Sequence, residues 1–334
     1  MNLGLSPELR NRMQNNMVDE IINTDKENLL EDTTFIVDID DKNTRIDKYL
    51  SDELADVSRS RIQKLLDEGM ITVNNNKVKS NYKVAADDII NVHIPELVVP
   101  EIVPEDISLD IVYEDDDIIV INKPKGMVVH PAAGHYSGTL VNALMYHCRD
   151  NLSGINGVLR PGIVHRIDMN TTGVIVACKN DYAHNFIAQQ LSVHSITRKY
   201  YAIVHNQFNN TEGVVDAPIG RNPSDRKKMA VDKKNGKRAV THYRVLEQFG
   251  KFSYIECQLE TGRTHQIRVH MASIGHPLLG DDVYGSGKSP FNLCGQTLHA
   301  GVLGFIHPTT KEYVEYSADL PEYFQKVINR LRNS

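Results

Sequence analysis

Nothing in this 334-residue chain is apolar for long enough to span a membrane, and its start lacks the basic head and apolar middle of a secretory signal. A cytoplasmic protein is expected. The four cysteines, Cys148, Cys178, Cys257 and Cys294, stand far apart and never as Cys-x-x-Cys, so they read as reduced, packed or incidental thiols rather than as a ligand set. Histidine is plentiful, but no His-Glu-x-x-His occurs, and His265, His270 and His276 have no acidic or thiol partner at ligand spacing. No metal is expected. Neither Gly-x-x-x-x-Gly-Lys-(Ser/Thr) nor a strand-bounded Gly-x-Gly-x-x-Gly is present, which sets aside ATP and NAD.

The net charge of −6 argues against a nucleic-acid partner only until it is divided along the chain. Residues 1–122 hold 12 Lys+Arg against 27 Asp+Glu, a net of −15, which leaves 25 against 16 and +9 for residues 123–334. The basic remainder can grip phosphate while the acidic part faces solvent or limits non-specific binding.

Taken in order, residues 1–33 are polar and poor in aromatics, an N-terminal extension without the makings of a core. Residues 34–40 alternate like a strand, a first helix begins near Arg45, and a second begins after Ser58, a natural N-cap. Ile62, Leu65 and Leu66 share one face of that second helix, Gly69 ends it, and Ile71-Thr72-Val73 with Asn74-Asn75-Asn76 reads as strand and turn. Arg59, Arg61 and Lys64 project from its first turns, where free backbone N–H groups already favour an anion. Residues 34–95 thus form one compact domain. Pro95, Pro100 and Pro104 among acidic residues mark an extended linker, 96–108, before a second domain over 109–334.

In the second domain, Ile111–Pro124 reads as a hairpin, Thr139–Leu144 as a helix and Asp181–Gln190 as another, with Phe186, Ile187 and Leu191 inward. The nine residues His165-Arg166-Ile167-Asp168-Met169-Asn170-Thr171-Thr172-Gly173 precede an apolar run, Val174–Ala177, and so display a carboxylate at the mouth of a buried strand. The plain alternative is a surface ion pair of Asp168 with Arg166, worth about 0–1 kcal/mol. Arg198–Val204 is a strand that turns Tyr200 and Tyr201 to opposite faces. Arg221–Arg238, with Arg226, Lys227 and Lys228, is a strongly basic loop suited to phosphate backbone. Asp281 and Asp282, read as neighbours on a strand, would face opposite sides and could not flank one glycosidic bond.

These motifs carry a resemblance. His165–Gly173 is similar to the His-Arg-(Leu/Ile)-Asp-x-x-Thr-(Ser/Thr)-Gly signature of the RluA-type pseudouridine synthases. Lys123–His130, Arg198–Ala202 and Thr261–His270 resemble the same family's Lys-Pro-x-Gly, basic-x-Tyr-x-Ala and Thr-Gly-Arg-(Thr/Ser)-His-Gln-Ile-Arg-x-His segments. Residues 43–94 resemble the S-four-type RNA-binding domain, an addition found in the RluD-like subgroup.

The resemblance implies an α+β fold, with the small RNA-binding domain joined to a catalytic domain on a mixed, mostly antiparallel sheet with flanking helices. It implies isomerisation of specific uridines to pseudouridine, most directly in large-subunit ribosomal RNA or a subunit precursor, by a monomer that needs no cofactor. Asp168 is then the nucleophile, Tyr200 the active-site tyrosine, and Arg263 the arginine paired with Asp168, with Arg268 the second choice and otherwise an RNA contact. Arg166, or His165 beside it, is the wedge for the space the uridine leaves. Transfer RNA as substrate, and a non-enzymatic role in ribosome assembly, stay open.

Overall fold

A computed structural model describes residues 33–54, 57–94, 102–131, 135–149, 151–155, 160–225, 228–285 and 289–333. The chain divides into two units, Met1–Val99 and Pro100–Ser334. The expected N-terminal extension lies outside the described residues apart from Thr33, which opens β1.

In the first unit β1 (Thr33–Ile36), β2 (Ile71–Val73), β3 (Asn76–Lys77) and β4 (Ile89–Val92) form one sheet in the order β1-β4-β2-β3. The first strand is shorter than its alternation suggests. Asp38 accepts the Asp40 N–H and turns the chain into a 3-10 turn over Ile39–Asp41. Two helices cover the sheet, α1 (Ile46–Glu53) and α2 (Arg59–Glu68). Ser58 caps α2 by accepting the Arg61 N–H, and Gly69 at φ 80 ends it in the left-handed conformation that glycine adopts without strain. Ile62, Leu65 and Leu66 are fully buried against Ile46, Leu50, Ile71 and Ile90.

The second unit is built on nine strands. They are β5 (Ile111–Glu114), β6 (Ile118–Lys123), β7 (Thr172–Cys178), β8 (Thr197–His205), β9 (Glu212–Asp216), β12 (Val240–Phe249), β13 (Phe252–Leu259), β14 (Leu298–Ile306) and β15 (Tyr313–Ser317). A separate two-stranded ribbon, β10 (Ile219–Arg221) and β11 (Met229–Val231), completes the set. The large sheet runs β5-β6-β7-β14-β8-β13-β12-β9, with β15 on β14. Its pairs are antiparallel except β7 with β14.

Helices lie on both faces. Leu140 and Leu144 of α3 (Leu140–Cys148) and Ile267 and Met271 of α5 (Gln266–Ser273) pack with Ile175 and Ala177. Ala183 and Ile187 of α4 (Asp181–Ser192) pack with Val174, Val176 and Phe305 on the other face. Phe324, Val327, Ile328 and Leu331 of α6 (Glu322–Arg332) close a further cluster with Ile203. Every residue of β7 is buried as a result, the signature of a strand covered on both sides.

Two expectations need correction. The Arg221–Arg238 stretch is not wholly a loop: β10 and β11 open it as a ribbon because Ile219, Met229 and Val231, few as they are, pack on Val269, Ala239 and Tyr284. Residues 102–108, expected in a free linker, are fastened to the second unit. Ile102 is buried, Asn142 donates to the Val103 carbonyl, and Glu105 accepts the Gly138 N–H and donates its own N–H to the Asn142 carbonyl.

Gly173 stands where β7 starts and the signature ends. Its φ is +108, and a Cβ there would sit 2.1 Å from the Ala300 carbonyl oxygen of the parallel neighbour. Gly173→Ala should therefore cost about 3 kcal/mol or more, seen as a lower urea midpoint for the second unit. An unchanged midpoint would show that β14 gives way freely.

Candidate active site

The loop that carries Asp168 is pinned before it reaches β7. The Val176 N–H donates to His165 Nε2 at 3.1 Å, and the Thr171 N–H closes a turn on the Asp168 carbonyl at 3.0 Å. Gly126 N–H donates to the Met169 carbonyl at 2.9 Å, and Gln296 Nε2 to Thr171 Oγ1 at 3.1 Å. From beneath, Lys123 Nζ donates to the carbonyls of Pro124, Met127 and Met169 at 2.8, 2.8 and 3.1 Å. A lysine wholly removed from solvent thus finds one acceptor for each ammonium hydrogen.

So held, the half-buried Asp168 carboxylate borders a cavity of about 60 Å³ lined also by Arg166, Thr171, Tyr200, Leu259, Arg263, His265 and Arg268. Arg268 is the group that meets it, with Nη1 donating to Asp168 Oδ2 at 3.1 Å. The other edge of that guanidinium forks onto Asp281, with Nε to Oδ2 at 2.7 Å and Nη2 to Oδ1 at 3.0 Å. The Val283 and Tyr284 N–H groups hold Asp281 Oδ1 in turn, at 2.9 and 3.0 Å. Burial alone would raise the Asp281 carboxyl, yet Arg268 and those two N–H groups keep it below the usual carboxylate range. Burial would likewise lower Arg268, but Asp281 and Asp168 hold it above the usual arginine range.

The expected partner, Arg263, lines the same cavity, but its Nε is engaged away from Asp168. It precedes α5 and donates Nε to the Arg238 carbonyl at 2.9 Å, whereas Arg268 lies inside the helix and is aimed inward from its first turn. Asp281 also departs from its expected strand: it lies in a turn, buried, as the anchor of Arg268. Sequence reasoning missed Asp281 and Lys123 as site residues. The signals available were a doubled aspartate after a glycine and a lysine at the end of an apolar strand, both too common to stand out.

Tyr200 is buried and reaches the same cavity, while Tyr201 faces the opposite side against Tyr254. Burial, with Asp168 nearby, keeps the Tyr200 phenol above its usual value even though Arg198 pulls the other way. His265 faces Asp168 with Nε2 3.8 Å from Oδ1, and its Nδ1 lies 2.8 Å from the Tyr284 hydroxyl. The Met229 N–H of β11 donates to that hydroxyl at 2.9 Å, so the Tyr284 oxygen joins His265 to the ribbon. Burial, reinforced by Arg268, holds His265 below its usual value despite Asp168.

The remaining expected residues divide. Arg166 is exposed at the cavity mouth. His165, the alternative wedge, is turned to the fold by its Val176 contact, and burial pushes it down to about 3, so it clamps β7 as a neutral ring. Arg59 is tied to buried Asp47 at 3.0 Å while staying half-exposed, Lys64 pairs with Glu68 at 3.5 Å, and Arg61 is half-buried on the same helix. Lys228 lies 3.9 Å from Asp225, and Arg226 and Lys227 fall outside the described residues.

Known proteins place this arrangement. The RNA pseudouridylate synthase family model matches residues 117–273, and the S4 domain model matches residues 44–90. The chain is 54% identical over 88% of its length to a Bacillus subtilis protein described as an uncharacterized RNA pseudouridine synthase, YlyB, covering 96% of it. This chain belongs to the RNA pseudouridine synthases. It is also 47% identical to ribosomal large subunit pseudouridine synthase D of Zymomonas mobilis, over 86% of this chain and 93% of that one. Among solved structures, human RNA pseudouridylate synthase domain containing 4 is similar at 28% identity and a TM-score of 0.52, over 66% of this chain and 92% of that one. The synthase is thus an RNA-modifying isomerase with an S4 domain ahead of its catalytic domain, and no described helix is long and apolar enough to cross a membrane.

The buried lysine of the synthase yields a test. Burial pushes Lys123 down to about 7, although Asp168 pulls it back up. Between about pH 7 and the usual lysine value of about 10.4 the unfolded chain holds a proton that the folded chain has released, so stability rises with pH across that window. Urea titrations should show the wild type gaining on Lys123→Met from about pH 7 toward pH 10. A constant difference between the two would mean that the three carbonyls keep the ammonium charged throughout.

Proposed function

We propose that this synthase isomerises uridine in large-subunit ribosomal RNA, with Asp168 as nucleophile. The observation that carries the reading is one carboxylate held by a buried, doubly paired arginine at the edge of a cavity lined by a buried tyrosine. The names of relatives such as the Zymomonas mobilis protein support the RNA class.

The chemistry follows from that geometry. A uridine within a stem cannot reach a recessed carboxylate without leaving the stack, at about a few kcal/mol of lost stacking, and Arg166 at the mouth is placed to occupy the gap. Asp168, kept in place by Arg268, attacks the anomeric carbon and displaces N1, or adds to carbon-6 before the N1–C1′ bond breaks; the base turns, carbon-5 bonds to C1′, the carboxylate is released, and the proton lost from carbon-5 is balanced by one gained at N1. Tyr200, which lines the same cavity, packs on the base and relays the proton that leaves carbon-5. His265 offers Nε2–H to an oxygen of the turning base or to the carboxylate. No part of this scheme requires a cofactor. The S4 domain adds grip on RNA through Arg59, Arg61 and Lys64, and we assign the whole to a monomer working in the cytoplasm.

Tritium release from RNA labelled at carbon-5 of uridine tests the reading. Wild type should release tritium from large-subunit ribosomal RNA and not from transfer RNA, and Asp168→Asn should be slower by about four orders of magnitude or more. Arg268→Lys should lower kcat about 100-fold, while Arg263→Lys changes chiefly KM. Release by Asp168→Asn at the wild-type rate would remove the nucleophile from the scheme.

A further inference from the structure

A second cavity, of about 520 Å³, adjoins the first and shares Arg166, Tyr200, Leu259 and Arg263 with it. Its far wall is the end of α4, with Ala188 and Leu191, so it presents an apolar side and a cationic side. Among the described residues three arginines and two histidines line it, and no carboxylate does.

Arg198 is the informative member. It is only 7% exposed, its Nη2 donates to the Glu260 carbonyl at 3.0 Å, and its Nε has no partner. Room for it depends on Gly262, where a Cβ would come within 2.6 Å of Arg198 Nη1. Arg268 shows how this fold treats a buried guanidinium that it needs for itself, with a carboxylate on each edge. Arg198 receives none from the cavity lining, and a buried cation left without a counter-charge is costly unless an anion arrives with the ligand. The cavity's size falls in the range of about 300–1,000 Å³ typical of sites for small molecules, enough for a nucleotide.

The backbone on either side of a uridine seated at Asp168 must cross the rim of the smaller cavity, and that rim is shared with the larger one. Two of the rim residues, Arg166 and Arg263, open onto the larger cavity. We propose that this larger cavity seats the nucleotide adjoining the target uridine, its phosphate drawn to Arg198 and Arg263 and its base laid against Leu191, Ala188 and Tyr200. The inference rests on the RNA-modifying reading above and extends it, since it makes the neighbour of the uridine part of what the enzyme recognises.

The test uses the full chain and a synthetic ribosomal RNA fragment spanning the uridine that the wild type modifies. Versions of the fragment carry one neutral methylphosphonate in place of each phosphate within two nucleotides of that uridine. One neutral linkage on one flank should raise KM about tenfold with kcat within about twofold. Arg198→Gln should raise KM on the native fragment by a similar factor and be indifferent to that linkage. Because Arg198→Gln also loosens the Glu260 turn, Ala188→Phe serves as the second variant. It fills the cavity from the helix side and should raise KM while leaving kcat in place. Equal KM for every version with the wild type, or an unchanged KM in Ala188→Phe, would overturn the seat. Absence of any turnover on native RNA would instead refute the parent reading, and the seat with it.

Discussion

Everything at the site depends on the position of one guanidinium. Arg268 is buried between Asp281 and Asp168, and the fork onto Asp281 fixes its plane so that Nη1 is left for Asp168. Removing one partner of such a buried pair typically costs about 3–5 kcal/mol, because the charge left behind has no solvent to fall back on. The support runs in sequence: Val283 and Tyr284 hold Asp281, Asp281 holds Arg268, and Arg268 holds the Asp168 carboxylate. A site arranged in this order has its dipoles in place before substrate enters, which is the condition for electrostatic catalysis without reorganisation.

Tyr284 ties a second arm to the same centre. Its ring lies 5.0 Å from the Arg268 guanidinium carbon, its hydroxyl hydrogen-bonds His265 Nδ1, and the Met229 N–H of β11 donates to that hydroxyl. The ribbon that continues into the basic Lys228–Arg238 stretch is thereby in hydrogen-bonded contact with the surroundings of Asp168. His265 adopts φ 56, a left-handed conformation uncommon outside glycine, which aims its ring across the start of α5.

Local signals were legible in the sequence, and directional ones were not. Ser58, Gly69, the hairpin β5–β6 and the opposite faces of Tyr200 and Tyr201 each follow from contacts within a few residues, so spacing alone identifies them. Arg263 and Arg268 sit in one motif, and choosing between them requires knowing that the helix begins at Gln266 and which way its first turn faces. Asp281 was hidden for a different reason. A doubled aspartate reads as surface or as strand, and only a turn closed by the Asp281 N–H on the Leu278 carbonyl turns its side chain inward. Lys123 ends a strand that is apolar from Ile118 to Ile121, and its burial is decided by three carbonyls brought together from positions 124, 127 and 169.

The acidic first part of the chain shows why net charge was a weak guide to binding. Asp47 is wholly buried at the start of α1, and it accepts from Arg45 at 3.0 and 2.9 Å, from Arg59 at 3.0 Å and from Gln63 at 2.6 Å. Arg45's hydrogen bonds, with help from Arg59 and Gln63, hold that carboxyl well below the usual range against the effect of burial. Both arginines nevertheless leave about half of their side chains in solvent, 47% and 49%. One buried negative charge thus orients two exposed positive ones, and a pre-oriented guanidinium loses less freedom on meeting a phosphate than a mobile one. A segment with an excess of acid can present a cationic face wherever its acids are used from the inside.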